Sequence, residues 1–102
     1  MAAIRDTYMK DYGISVEETQ RLANFCRNAD GEDRKIIKEI SEMVYPYIAD
    51  QLFWNLTTGI GYDNLCKLKP IRMQRKDFQG YRRKVLKELY DFMNRKGELY
   101  DK

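Results

Sequence analysis

Apolar side chains recur along this chain with a helical period and nowhere with the strict alternation of a strand. The clearest run is Ile36, Ile37, Ile40, Met43, Val44, Tyr47, Ile48, Leu52 and Leu56, spaced at i, i+3 and i+4. It predicts a core helix that ends at Gly59. Pro46 interrupts the run, because proline removes a backbone donor and clashes with the preceding turn, so a kink or break is expected near Tyr45. Phe53 and Trp54 add aromatic bulk beside the stripe.

Upstream, Ser15-Val16-Glu17-Glu18 has the form of a capping box, with Ser15 taking the Glu18 amide and Glu18 reaching back. Leu22, Ala23, Cys26 and Ala29 follow at helical spacing with Phe25 alongside, and Gly31 is the expected stop. Residues 1–13 show no clear period and read as an arm or a short helical lead-in. Downstream, Gly59-Ile60-Gly61 forms a joint before a short helix over 62–68. Pro70 closes that helix by pushing Lys69 out of the helical region. The turn Lys69-Pro70-Ile71-Arg72-Met73 then leads into a last helix over about residues 74–94, with Gly97 beyond it. Its inward positions are Phe78, Tyr81, Val85, Leu86, Leu89, Phe92 and Met93. The expected fold is all-α: one small helical domain over 1–102 with four to five helices. Residues 15–59 supply helical support and an oligomer or partner surface. Residues 61–96 form a basic unit of helix-turn-helix type.

Composition removes several chemistries. The chain has 102 residues and no His, which excludes His-ligated zinc and His-dependent acid–base or nucleophilic catalysis. Cys26 and Cys66 lack any CxxC pairing and read as small buried apolar residues in a reducing cytoplasm. The only serines are Ser15 and Ser41, and Ser15 is committed to capping. Glu17, Glu18, Glu32 and Asp33 lie at helix starts, where the macrodipole favours them. Gly59-Ile60-Gly61 lacks the Lys-Ser/Thr of a phosphate loop. No enzyme, cofactor or metal is expected. No apolar run approaches the ~20 residues of a membrane helix, and MAAIRDTYMKDYG carries Asp6 and Asp11 with no apolar block. Neither a membrane partner nor a signal peptide is expected, and the expected location is cytoplasmic.

Charge changes the picture more than composition does. The net +3 divides into −3 over residues 1–60 and +6 over residues 61–102. Between residues 67 and 87, Lys67, Lys69, Arg72, Arg75, Lys76, Arg82, Arg83, Lys84 and Lys87 face the single acid Asp77. At about 100° per residue, Lys76, Arg83, Lys84 and Lys87 fall opposite the apolar face of the last helix, with Gly80 among them. Arg75 and Gln79 lie on one flank. Short helix, tight turn and basic helix is the layout of a DNA-reading unit whose second helix enters the major groove. Arg can take guanine bidentately, Gln can take adenine, and nearby cations neutralise phosphates. Arg82 points toward the apolar face and is assigned an ion-pair or phosphate role. Gly80 costs roughly 1 kcal/mol relative to Ala. Its functional reading is close approach of DNA or a neighbouring helix, and its plainer reading is a tolerated exposed glycine or slight kink.

Tyr62-Asp63-Asn64-Leu65, then Pro70-Ile71, then Arg75-Lys76-Asp77-Phe78 and Arg82-Arg83 resemble the ArpU/RinA type of late-gene transcription activators of phages and prophages of Firmicutes. The resemblance covers about the last 40 residues. It implies a sigma-factor-like helix-turn-helix with Arg75, Lys76, Gln79, Arg82 and Arg83 facing DNA. It also implies that Tyr62, Leu65, Ile71, Phe78 and Tyr81 hold the two helices together. The chain departs from the pattern at Met73-Gln74, where many such runs carry Ser or Cys; a missing Ser cap weakens a helix start by about 1 kcal/mol. The first expectation is therefore a phage-type transcriptional regulator reading duplex DNA, with a homodimer or RNA-polymerase contact through the acidic half. The alternative is a small phage-encoded interaction module or inhibitor, whose basic helix docks on a host or nucleic-acid-processing protein.

Overall fold

The computed structural model describes residues 3–96. Among them are five α-helices: α1 (Val16–Arg27), α2 (Gly31–Val44), α3 (Ala49–Thr58), α4 (Tyr62–Leu68) and α5 (Arg75–Lys96). Three 3-10 turns, Ile4–Asp6, Met9–Tyr12 and Pro46–Ile48, complete the order, and no strand occurs among the described residues. The fold is all-α.

Local chemistry sets most boundaries. Both halves of the α1 capping box form: the Glu18 amide donates to Ser15 Oγ at 3.0 Å and the Ser15 amide to Glu18 Oε1 at 2.9 Å. Gly31 does not stop α1. That helix ends at Arg27, and Asp30 caps α2, whose first residue is Gly31. Asn28 and Asp30 give the chain turn and cap chemistry before the glycine is reached, so the glycine opens the next helix. Pro46 breaks the long apolar run as its chemistry requires. Tyr45 is extended at φ −162°, and a 3-10 turn links α2 to α3. α3 closes at Gly59. α4 occupies 62–68, followed by an extended Lys69 at φ −154°. Gly97, expected beyond the last helix, lies outside the described residues.

α5 is the central element. It packs against α1, α2 and α3 on one side and against the two N-terminal 3-10 turns on the other. Phe78, Val85, Leu86 and Leu89 are fully buried with Leu22, Cys26, Ile37, Leu52, Leu56 and Leu65. Each such large apolar side chain contributes roughly 1.5–3 kcal/mol by leaving water. Tyr81 and Phe92 are half-buried, at the edge of this core.

The arm is ordered. Residues 4–6 and 9–12 form tight turns, and Gly13 closes the second at φ 78°, a left-handed conformation that costs glycine little. Its amide donates to the Lys10 carbonyl at 3.0 Å, and the Ile14 amide reaches Met9 at 3.0 Å. Ile14 is then buried in the core and anchors the arm to it.

Candidate nucleic-acid interface

The basic residues of 67–87 divide by task. Lys67 and Lys69 lie at the end of α4 and just beyond it, and Arg72 lies in the turn. All three are exposed. Gln51 on α3 fixes this turn from below: buried, its Nε2 donates to the Pro70 carbonyl at 3.1 Å and the Lys69 carbonyl at 3.4 Å. Tyr62 donates its hydroxyl to the Met73 carbonyl and meets Phe78 edge-on at 5.7 Å. The start of α5 is therefore held by α3 and α4 together. Leu65, Ile71 and Phe78 are buried here. Tyr81 packs on Tyr45, at 4.7 Å between ring centroids.

Gln74 opens α5, accepting the Phe78 amide at 3.0 Å through its carbonyl. Its side-chain oxygen accepts a hydrogen bond from Arg5 Nη2 at 3.0 Å. The position that lacks a Ser cap thus ties the helix start to the arm. Arg75 and Lys76 are exposed in the first turn, and Gln79 is half-buried one turn on. Arg75 lies over the Tyr62 ring at 5.1 Å and pairs with Asp63 at 2.8 Å. Both partners of that pair are solvent-exposed, so it holds Arg75 only loosely. Lys69 pairs with Asp50 at 2.7 Å, and Asp50 also takes Lys38 at 2.9 Å. The hydrogen bonds from Lys69 and then Lys38 hold the Asp50 carboxyl below the usual carboxylate range. Lys67, Arg72, Lys76 and Gln79 have no hydrogen-bond or ion-pair partner for their side chains among the described residues.

Further along α5 the basic side chains are engaged within the molecule. Arg82 Nε donates to Asn55 Oδ1 at 2.6 Å, and Asn55 in turn donates to the Ile60 carbonyl at 2.8 Å. Burial lowers the Arg82 pKa from its ordinary value, opposed by the neighbouring Cys26. Arg83 donates from Nε to the Thr7 carbonyl at 2.8 Å and from Nη2 to the Arg5 carbonyl at 3.1 Å, with its guanidinium 4.5 Å from the Tyr8 ring. Lys84 lies 3.2 Å from Glu88 and 5.7 Å from the Tyr12 ring. Lys87 pairs with Asp91 at 2.7 Å. Gly80 is buried under the arm; a Cβ there would lie 2.4 Å from the Ile4 carbonyl oxygen. The element it approaches closely is the chain's own N-terminus. The face of α5 opposite the core is a docking face for residues 4–12.

The structure thus brings Lys67, Lys69, Arg72, Arg75, Lys76 and Gln79 to the surface around one turn, and ties Arg82, Arg83, Lys84 and Lys87 into intramolecular contacts. Arg5 and Tyr8 join the first group across the arm: with Arg75, Lys76, Gln79 and Arg83 they line a cavity of about 190 Å³. No periodicity in residues 1–13 signalled this. The one sequence feature pointing to it was Gly80, a helix-interior glycine that needs a neighbour to explain it. No family model, curated protein or solved structure matches this chain.

Proposed function

We propose that the protein binds duplex DNA through the end of α4, the 69–74 turn and the first two turns of α5. One observation carries the reading: Lys67, Arg72, Arg75 and Lys76 are exposed across three consecutive elements, none buried by a neighbour. Cations in such an array neutralise backbone phosphates. Gln79 then stands near the N-terminal end of the second helix, the part that meets base edges in helix-turn-helix docking, with the Arg75 and Lys76 cations on the flanking phosphates. Arg82, Arg83, Lys84 and Lys87 act behind this surface by holding α5 and the arm. The resemblance of residues 62–83 to phage late-gene activators gives this binding a role in transcription regulation.

Electrophoretic retardation of a mixed-sequence duplex at low salt tests the reading. The unaltered chain is expected to retard the duplex and Lys76→Glu to weaken that retardation at least tenfold. Lys76 is exposed and unpaired, so the variant leaves the fold intact. Unchanged retardation by Lys76→Glu, or none by the unaltered chain, would contradict it.

A second reading, an interaction module that docks through an apolar groove and not through the basic helix, rests on a different observation. A groove of about 700 Å³ runs between the arm, α1 and α5, lined by Tyr8, Met9, Val16, Ala23 and their neighbours. Val16 is 87% exposed on its rim. A partner seated there would leave the basic turn free, so a Val16→Glu variant that retains full duplex retardation separates the two surfaces.

A further inference from the structure

The 190 Å³ cavity where the arm meets α5 differs in chemistry from the open basic surface beside it. Four of its six lining residues are cationic: Arg5, Arg75, Lys76 and Arg83. The other two, Tyr8 and Gln79, can each donate a hydrogen bond, and no lining residue is acidic. Two of the cations, Arg83 and Arg5, are pre-positioned, and Arg75 is loosely steered. Arg83 is braced by two arm carbonyls and the Tyr8 ring. Arg5 is oriented by Gln74 and by Asp77 at 3.5 Å. Arg75 is oriented by Asp63 and the Tyr62 ring. A guanidinium has five N–H donors, and Arg83 spends two of them on the arm. Lys76 brings a further ammonium with no protein partner among the described residues. Asp77 and Asp63 balance Arg5 and Arg75, which leaves Arg83 and Lys76 without a carboxylate partner at the cavity, and Arg fork geometry matches phosphate oxygens.

We infer that this cavity is a phosphate-binding site, built jointly by the N-terminal arm and the first turns of α5. It deepens the duplex-binding reading, since a backbone phosphodiester seated here would fix the register of α5 on the duplex. The arm is then part of the binding machinery through Arg5. A free phosphate monoester offers the same oxygens, and the experiment separates the two sources.

The test uses the full chain and two probes, inorganic phosphate and a mixed-sequence duplex, at constant ionic strength. Amide NMR spectra with increasing inorganic phosphate are expected to show shifts centred on residues 4–9 and 75–83, saturable and absent with equivalent chloride. Lys76→Ala, which leaves the arm contacts intact, is expected to weaken that saturation several-fold. With the duplex, Arg5→Ala is expected to lower affinity and reduce the log–log salt slope by about one, the signature of one lost phosphate contact. Phosphate shifts with a duplex affinity indifferent to Arg5→Ala would assign the site to free phosphate and leave duplex binding resting on the open surface alone. Phosphate shifts with no duplex binding at all would keep the site and overturn the proposed function. Absence of saturable shifts at these residues would overturn the site, whatever the duplex does.

Discussion

Arg82 and Arg83 are neighbours in sequence with separate structural tasks, and neither is free to read a base. Arg82 turns inward to Asn55 and so steadies the Ile60 loop. Removing it leaves a half-buried amide oxygen without its donor, a loss of about 1–3 kcal/mol. Arg82→Ala is therefore expected to lower the urea midpoint clearly while duplex affinity, compared below that midpoint, stays unchanged. A fall in affinity with no change in midpoint would return Arg82 to the binding surface. Cys26, beside Arg82, is fully buried, and burial pushes its thiol from 9.0 up to about 12, with the Arg82 charge pulling the other way. The unfolded thiol gives up its proton near the lower value and the folded thiol near the upper one. Its stabilising contribution is complete below the lower pKa and is lost as pH rises through the upper. At mild alkaline pH, alkylation followed by peptide mapping should label half-buried Cys66 well before Cys26. Equal labelling would mean that the core around Cys26 opens readily.

At the scale of elements, α5 buries an apolar stripe against α1–α3 and, on its opposite side, a basic stripe under the arm. Gly80 makes the second contact possible. Gly80→Ala would add helix propensity of up to about 1 kcal/mol, but its Cβ meets the Ile4 backbone, which cannot move aside as a flexible side-chain tip could. The expected result is selective loss of hydrogen-exchange protection in residues 4–12, with protection in α2 and α5 retained. Uniform loss, or none, would show that the arm does not depend on this approach. The helices themselves were legible in the chain. The capping box at Ser15, the break at Pro46, the short 62–68 helix and the start of the last helix follow from periodicity and local backbone chemistry, and all are present. What the pattern missed is tertiary. Helical periodicity reports which face is apolar, and a face of Arg, Lys and Gly reads as solvent-facing even where another segment covers it. The arm docks through backbone carbonyls, which sequence does not display, so the engagement of Arg83 by Thr7 and Arg5 had no signature beyond the unexplained glycine. The same limit hid Gln51, a buried polar side chain on an apolar helix that fixes the turn ahead of α5.

Across the whole molecule, the charge asymmetry becomes a division of labour. The acidic half supplies α1, α2 and α3 as the scaffold against which α5 packs. It also supplies Arg5, so the basic surface draws on both ends of the chain. The unpaired or loosely paired cations Arg5, Lys67, Arg72, Arg75 and Lys76 surround one helix start, whereas Lys69 is held by Asp50 and the other engaged cations of residues 67–87 lie further along the helix. Five such cations set the number of backbone phosphates that a bound duplex would have neutralised, and salt dependence reports that number where affinity alone does not. The measurement is the dissociation constant for a mixed-sequence duplex as a function of monovalent salt. Five cations on phosphates give a log–log slope of about −4 to −5, and a triple variant Arg72→Ala, Arg75→Ala, Lys76→Ala should flatten it by about three. A slope near zero, or one unchanged in the triple variant, would contradict duplex binding by this surface.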